Sequence, residues 1–258
     1  MNARPVPATV QGRLRYDRDG GGRASSVSSS KRSSSTNRLP GMASSSISRA
    51  LRYLRAEGDD PNRYKLAKQA DTVMLFYLFP DAELKRLLER LGYELSPDTA
   101  RKTIEYYDRR TSHGSTLSFI VHAGVLAGID PESSWERFLV ALECDIGDIQ
   151  GGTTQEGIHV GVMAGTLDLI QRIYLGTEIR DGVVRFDPRL PEQLDGLSLP
   201  MQFRRTPIRV TLEGRELTVV ALADGFSLPV RVGVGDEVRE LAAGESCTFT
   251  VAARAGVL

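Results

Sequence analysis

The chain has 258 residues, 41% of them hydrophobic, which is enough to bury one core or one core with a small second domain. Its 33 basic and 33 acidic residues are unevenly spread: residues 1–40 hold eight basic and two acidic ones, so this part carries +6 and the remainder −6. A mildly acidic remainder argues against nucleic acid as a ligand, and the lack of an apolar run of about 18 residues argues against a membrane span. With two widely separated cysteines, Cys144 and Cys247, and no secretory signal, a cytoplasmic location is expected.

Residues 1–46 are predicted to be a disordered basic tail. They combine the triple glycine Gly20–Gly22 with several serine runs, and they contain few apolar side chains. Burial of so little apolar surface does not offset the entropy cost of ordering the backbone. On composition alone, the tail is also compatible with an adaptor role toward anionic partners.

Residues 47–197 show apolar side chains at helical spacing. Asp81 is expected to cap one helix. Ser96-Pro97 and Asp130-Pro131 each place a capping residue before a proline, which predicts two further helix starts. Paired helices with short polar connections predict an all-α layer.

Beyond Pro188 the pattern changes to alternation with a period of two residues. Apolar residues alternate through Ile208, Val210 and Leu212, a Gly-containing turn follows, and alternation resumes at Leu217. This pattern predicts a small antiparallel β domain at residues 198–258.

Two polar turns stand near the centre of the chain, at Thr111–Ser118 and Gly151–His159. All three histidines of the chain, His113, His122 and His159, lie between the start of the first turn and the end of the second. Each turn runs into a helical pattern, where backbone N–H groups, hydroxyls and the positive end of the helix dipole suit an oxyanion. We therefore predict that the two turns form the halves of one small-molecule site.

The candidate ligands in these turns are hydroxyl, imidazole and backbone groups. They comprise His113, Ser115 and Thr116 in the first turn and Gly152, Thr153, Thr154 and His159 in the second, with Glu156 as a helix-start carboxylate. The alternative for each turn is an ordinary helix cap with a packed histidine, although two independent caps rarely both carry one. His122 lies in an apolar helix and is interpreted as a core histidine. No metal site is predicted, because Glu156 and His159 alone are too few ligands for zinc.

Three separated motifs resemble glycoside hydrolase family 65. They are Lys68–Asp71, Tyr106-Tyr107 followed by His113–Ser118, and Gly152–His159. The resemblance covers the chain from about Ile47 onward. It implies a mainly α fold in which residues 47–197 are the C-terminal part of an (α/α)6 barrel, followed by the small antiparallel β-sheet domain at 198–258.

The resemblance also implies an activity. Inverting phosphorylases of this family cleave an α-glucosidic disaccharide with phosphate and release β-glucose 1-phosphate and glucose. By this resemblance Lys68 and Gln69 would hold the glucosyl unit, and Glu156 would support the site. The residues that would surround phosphate are His113, Ser115, Thr116, Gly152, Thr153 and His159. Inorganic phosphate would be a co-substrate, and no cofactor is implied.

The chain departs from the family pattern at its start. Family members are several times longer, and their general acid lies upstream of the Lys-Gln motif, where residues 1–60 offer no counterpart. No catalytic residue is therefore assigned, and the chain is expected to be a truncated form whose unpartnered helix faces drive association with itself or with a separate N-terminal polypeptide. Two alternatives are a non-catalytic sugar- or phosphate-binding fragment and a family hydrolase of the trehalose or maltose type.

Overall fold

The computed structural model describes residues 53–60, 63–67, 70–149 and 153–252. The predicted tail at 1–46 lies outside the described residues, as do Lys68, Gln69, Gly152 and the side chains of Thr153 and Glu156. Within the described ranges, helices come first and β-strands second. No helix in these ranges has the length and apolar character that crossing a membrane requires.

Six α-helices lie between residues 71 and 168 of the described chain. They are α1 (Asp71–Leu78), α2 (Asp81–Arg90), α3 (Pro97–Asp108), α4 (Leu117–Leu126), α5 (Pro131–Leu142) and α6 (Val160–Asp168). A 3-10 turn at Thr153–Glu156 precedes α6, and a π-helical segment at Leu169–Tyr174 continues it.

Two of the three predicted helix caps are confirmed. Ser96 at the start of α3 and Asp130 at the start of α5 each accept a hydrogen bond from the backbone N–H three residues later, at 3.1 Å. The prediction for Asp81 was wrong, because Pro80 occupies the capping position and makes no side-chain bond. Asp81 is instead the first helical residue, where its charge still suits the positive end of the helix dipole.

Helices α4 and α6 lie side by side and run in the same direction. A Cβ atom built on Gly165 would lie 2.9 Å from the Ile120 side chain, and one built on Gly124 would lie 3.3 Å from Leu169. Both residue pairs are offset by 45 positions, so the two helices advance together. Their N-terminal ends therefore lie next to each other.

Helix α1 joins α4 in the same orientation. Ala67 forms a parallel bridge with Thr111, and its carbonyl accepts the Ser112 N–H at 2.8 Å, just ahead of both helices. Toward the other end, the Tyr77 ring lies 2.5 Å from a Cβ atom built on Gly124. The N-terminal ends of α1, α4 and α6 are thus brought to one end of the helical layer.

Helix α5 runs antiparallel to α4 as the second arm of a helical hairpin. Ser134, near the start of α5, donates its hydroxyl to the carbonyl of Ala123, near the end of α4, at 2.6 Å. The turn that follows α5 therefore returns to the end of the layer where α4 and α6 begin. The apolar core between these helices includes Phe119, Ile120, Ala123, Trp135, Phe138, Val162 and Leu169.

Strand structure begins at Glu178, earlier than the alternating pattern indicated. The strands are β1 (Glu178–Arg180), β2 (Val183–Phe186), β3 (Gly196–Phe203), β4 (Thr206–Glu213), β5 (Glu216–Ala221), β6 (Val230–Val234), β7 (Glu237–Leu241) and β8 (Ser246–Thr250). They form two four-stranded sheets in the orders β1-β2-β6-β7 and β3-β4-β5-β8.

The sheets correct the prediction of a purely antiparallel domain. The second sheet is antiparallel throughout, but β2 pairs with β6 in parallel, with Val183 opposite Arg231 and Phe186 opposite Val234. The β3–β5 meander separates these two strands, and a long crossover of this kind can bring two strands together in parallel. Ile170 and Leu190 pack against the cores of both the helical and the β regions, which joins the two.

Candidate functional site

The predicted site residues within the described ranges gather at the end of the helical layer where α1, α4 and α6 begin. His113, Ser115 and Thr116 directly precede α4, and His159 is the N-cap residue of α6. Lys68 and Gln69 are not described, but Ala67 is held beside Thr111 by the backbone bridge. Fold topology therefore brings the described parts of the three motifs to one place.

His113 is a buried side chain in a defined orientation. Its Nδ1 lies 2.8 Å from the Ser118 hydroxyl, which donates its own proton to the Ser115 carbonyl at 2.7 Å. Ser118 therefore accepts from His113 Nδ1–H, and the neutral ring carries its lone pair on Nε2. The ring stacks on Phe119 with centroids 4.3 Å apart, and the backbone adopts a left-handed φ of 47°.

A charged cluster lies behind His113. Asp108 accepts a hydrogen bond from Nδ1 of the fully buried His122 at 2.8 Å and another from Arg137 at 2.9 Å. The His122 ring also makes an edge contact with His113, at 4.7 Å between centroids. His122 is thus confirmed as a core histidine, although its Nε2 has no hydrogen-bond partner among the described residues.

The protonation states of this cluster follow from burial and charge. Burial lowers the pKa of His113 to about 3, and repulsion by His122 and Arg137 acts in the same direction. Burial alone would raise the pKa of Asp108, but its hydrogen bond from His122 and the charge of Arg137 lower it instead. At neutral pH His113 is uncharged and Asp108 is ionised.

The buried neutral histidine predicts a loss of stability in acid. Between pH 6.5 and about 3 the unfolded chain binds a proton at His113 that the folded chain does not, so the free energy of unfolding falls as pH falls. We expect His113→Asn to remove this contribution, which is at most about 1.4 kcal/mol per pH unit. Asparagine tolerates the left-handed backbone and can still donate to Ser118.

Urea unfolding of both proteins at a series of pH values measures this effect. The difference in the free energy of unfolding between wild type and His113→Asn should change between pH 6.5 and about 3. Asp108, whose pKa is lowered from 3.8, has its effect at the acid end of this range in both proteins. Curves that stay parallel from pH 6.5 to 4 would contradict a neutral His113.

His159 is oriented by a carboxylate that lies outside the predicted site residues. Asp145 Oδ1 lies 2.5 Å from His159 Nδ1, and Oδ2 accepts the backbone N–H of His159 at 2.9 Å. This hydrogen bonding lowers the pKa of Asp145. The two residues are 14 positions apart, and they meet because the turn after α5 returns to the start of α6.

Cys144, Asp145 and His159 also form a possible metal-ligand group, with donor atoms within 4.8 Å of one another. The 2.5 Å separation between Asp145 and His159 is that of a hydrogen bond. Two ligands of one tetrahedral zinc ion, at about 2.0–2.2 Å from it, lie roughly 3.3 Å apart. Burial and the Asp145 charge also raise the pKa of Cys144, which disfavours the thiolate. The geometry therefore favours a carboxylate–imidazole pair.

The hydroxyl candidates play different structural parts. Ser115 Oγ accepts the Leu117 N–H at 3.3 Å, so it serves as an ordinary cap in this state. Thr116 is buried at the N-cap position of α4, and its side chain makes no capping bond. Thr153 begins the 3-10 turn ahead of α6.

The helical and β regions each match a model of one protein family. Residues 42–168 match the glycosyl hydrolase family 65 central catalytic domain, and residues 177–241 match the family 65 C-terminal domain. Both regions therefore match domains of glycosyl hydrolases. More specifically, the chain belongs to glycoside hydrolase family 65, as its three motifs predicted.

Several relatives show where the chain lies within that family. It is 45% identical over 200 residues to an uncharacterized glycosyl hydrolase of Mycobacterium tuberculosis, covering 78% of this chain and 15% of that protein. It is 38% identical over 179 residues to trehalose 6-phosphate phosphorylase of Lactococcus lactis, covering 69% and 23%. It is 32% identical over 171 residues to kojibiose phosphorylase of Thermoanaerobacter brockii, covering 65% and 20%.

A solved structure shares the fold. This protein, described as "Putative kojibiose phosphorylase from human microbiome", matches with a TM-score of 0.55 at 19% identity. The match covers 72% of this chain and 22% of that one. The chain thus spans less than a quarter of the length of the relatives named here.

Proposed function

We propose that this chain forms the phosphate-binding side of an inverting disaccharide phosphorylase, as the C-terminal part of an (α/α)6 barrel and its β domain. The observation that carries the proposal is that the described parts of three motifs gather where the parallel helices α1, α4 and α6 begin. The start of a helix carries the positive end of the helix dipole, which favours an anion. Three such starts at one place form a suitable site for phosphate.

Each motif has a proposed role at this site. Phosphate lies between the turn of His113 and the turn of His159, and Lys68 and Gln69 hold the glucosyl unit beside it. His113 lies in the first turn, on the phosphate side of the site. The remaining proposed phosphate contacts come from Ser115, Thr116, Gly152 and Thr153, with Glu156 in support.

The proposed reaction proceeds by inversion. A phosphate oxygen attacks the anomeric carbon from the face opposite the glycosidic oxygen, the carbon–oxygen bond to the leaving sugar breaks, and β-glucose 1-phosphate and glucose form. The leaving oxygen takes its proton from a general acid, which we assign to no residue of this chain. The residues described above would bind and orient the nucleophile.

The substrate is proposed as an α-glucosidic disaccharide. The names of the relatives point to trehalose 6-phosphate and kojibiose as two members of this class.

Apolar side chains next to Asp145 and His159 in the sequence are exposed, with relative exposures of 89% at Ile146, 68% at Ile158 and 65% at Val160. Such surface is typical of interfaces and fits the proposed association with a second copy or a separate N-terminal polypeptide.

Inorganic phosphate is expected to raise the melting temperature of the chain. A ligand at 100 times its Kd stabilises a folded protein by about 2.7 kcal/mol, which scanning fluorimetry detects readily. His159→Ala should remove most of this gain, whereas Arg239→Ala, which removes an exposed cation in the β region, should retain it. Sodium chloride at matched ionic strength controls for screening of charge.

Turnover is tested with trehalose, trehalose 6-phosphate, maltose and kojibiose, each incubated with phosphate and assayed for glucose 1-phosphate. Release of glucose 1-phosphate supports the phosphorylase, and sugar release without phosphate indicates the hydrolase. Stabilisation by phosphate without turnover supports the phosphate site and indicates a non-catalytic binding module. No response to phosphate at millimolar concentration would count against the site itself.

A further inference from the structure

We infer that Asp145 is a positioning residue for His159, holding the imidazole with its Nδ1 proton on the carboxylate and its Nε2 edge turned toward the anion. This inference rests on the proposed phosphate site, because it gives His159 a defined orientation within that site. It concerns a residue that lies in none of the three family motifs quoted above.

The first support is that the Asp145 carboxylate makes two hydrogen bonds to His159. Asp145 accepts the backbone N–H of His159 through Oδ2 and lies against the ring Nδ1 through Oδ1. A carboxylate has no proton to give, so both groups of His159 are donors. The two bonds together fix the main chain at the start of α6 and the rotation of the ring.

The second support is the position of the pair. The Asp145 side chain is 12% exposed and the His159 side chain 27%, so the carboxylate is the more sheltered partner. A ring that donates from Nδ1 has Nε2 on its opposite edge, away from Asp145. That edge donates to an anion when the ring is protonated and accepts from hydrogenphosphate when it is neutral, so the same edge serves in both states.

The third support is that the neighbouring thiol does not compete with Asp145 for the ring. The donor atoms of Cys144, Asp145 and His159 lie within 4.8 Å of one another, so Cys144 is close enough to be considered. The Cys144 thiol is buried and its pKa is raised, so it does not compete as an anion. Without the carboxylate, the ring could rotate and change tautomer, and its orientation toward phosphate would be lost.

The test compares Asp145→Asn with Asp145→Glu and with Glu143→Gln. Asparagine can accept one hydrogen bond through its oxygen, but its NH2 end cannot accept the other. We expect Asp145→Asn to weaken binding of inorganic phosphate by about 10–100-fold, by analogy with carboxylates that orient metal-bound histidines. Asp145→Glu should recover part of the affinity. Glu143→Gln removes the same charge from an exposed position two residues away and should change little.

The second measurement is the ¹⁵N spectrum of the histidine rings, assigned with His159→Gln. The wild-type His159 ring should show a hydrogen-bonded Nδ1–H, and the Asp145→Asn ring should show a mixture of tautomers. A role limited to helix stability would lower the melting temperature without changing the tautomer of the ring. Isothermal titration calorimetry supplies the phosphate affinities on the same samples.

The outcomes separate this inference from the proposed function. If wild-type protein does not bind phosphate but its His159 ring still donates from Nδ1, the phosphate site fails and the positioning stands. Equal phosphate affinity and equal ring spectra in wild type and Asp145→Asn would overturn the positioning. If Asp145→Asn does not fold, a wild-type spectrum without a hydrogen-bonded Nδ1–H overturns it. Stoichiometric zinc binding through Cys144 would overturn it in favour of a metal site.

Discussion

Replacing Asp108 with alanine is expected to lower the free energy of unfolding by about 3–5 kcal/mol, the usual cost of breaking a buried ion pair. Asp108 accepts from both His122 and Arg137, so its loss leaves a buried imidazole and a guanidinium without their acceptor. The Arg137 side chain is 21% exposed, which favours the lower end of the range. Urea unfolding at pH 7, followed by circular dichroism, measures the change.

The same helix supplies a matched control. Glu105 on α3 pairs with Arg109 at 3.4 Å, but the two side chains are 40% and 70% exposed. Glu105→Ala should therefore cost only about 0.5 kcal/mol or less. Asp108→Ala should also reduce the response to phosphate, since His122 supports the ring of His113. Equal losses of unfolding free energy in Asp108→Ala and Glu105→Ala would show that burial does not strengthen the interactions of Asp108.

Replacing Gly176 with alanine is expected to destabilise the junction between the helical and β regions by about 2–5 kcal/mol. A Cβ atom there would lie 2.0 Å from the Asp187 carbonyl oxygen, and the backbone has a left-handed φ of 65°. Overpacking contributes about 1–3 kcal/mol and the left-handed conformation about 1–2 kcal/mol. The clash is with backbone, and Asp187 N–H is itself bonded to the Gly176 carbonyl at 3.0 Å, so relaxation is difficult.

Gly214→Ala separates the two contributions. Gly214 has a similar φ of 56°, but a Cβ atom there would meet no atom within 4 Å. This variant should show only the conformational cost of about 1–2 kcal/mol. Denaturant unfolding of the two variants gives the comparison, and a Gly176→Ala protein as stable as Gly214→Ala would refute the steric argument.

Local features of the structure were predictable because their causes lie within a few residues. Ser96 and Asp130 bond to backbone groups three residues away, so a capping residue followed by proline was sufficient to place two helix starts. The β4–β5 hairpin was predictable for the same reason: its strands alternate, and its turn at Gly214 needs a left-handed backbone that glycine adopts readily.

Features that depend on distant packing were not predictable in this way. The parallel pairing of β2 with β6 depends on where a crossover ends, which alternation within a strand does not encode. Asp145 was missed because no local pattern joins it to His159. Its role depends on the return of α5 alongside α4, which is a property of the packed helices.

The sequence by itself determined the chemistry at the helix starts: the positions of His113 and His159, the small hydroxyl and glycine residues around them, and the family that these motifs identify. The tertiary structure alone decided which of these groups meet. Glycines at 124 and 165 allow close contact with Tyr77 and Ile120, and these contacts align α1, α4 and α6 in one direction. The physical reason is that composition and spacing act along the chain, whereas a binding site needs groups held together across it by packing.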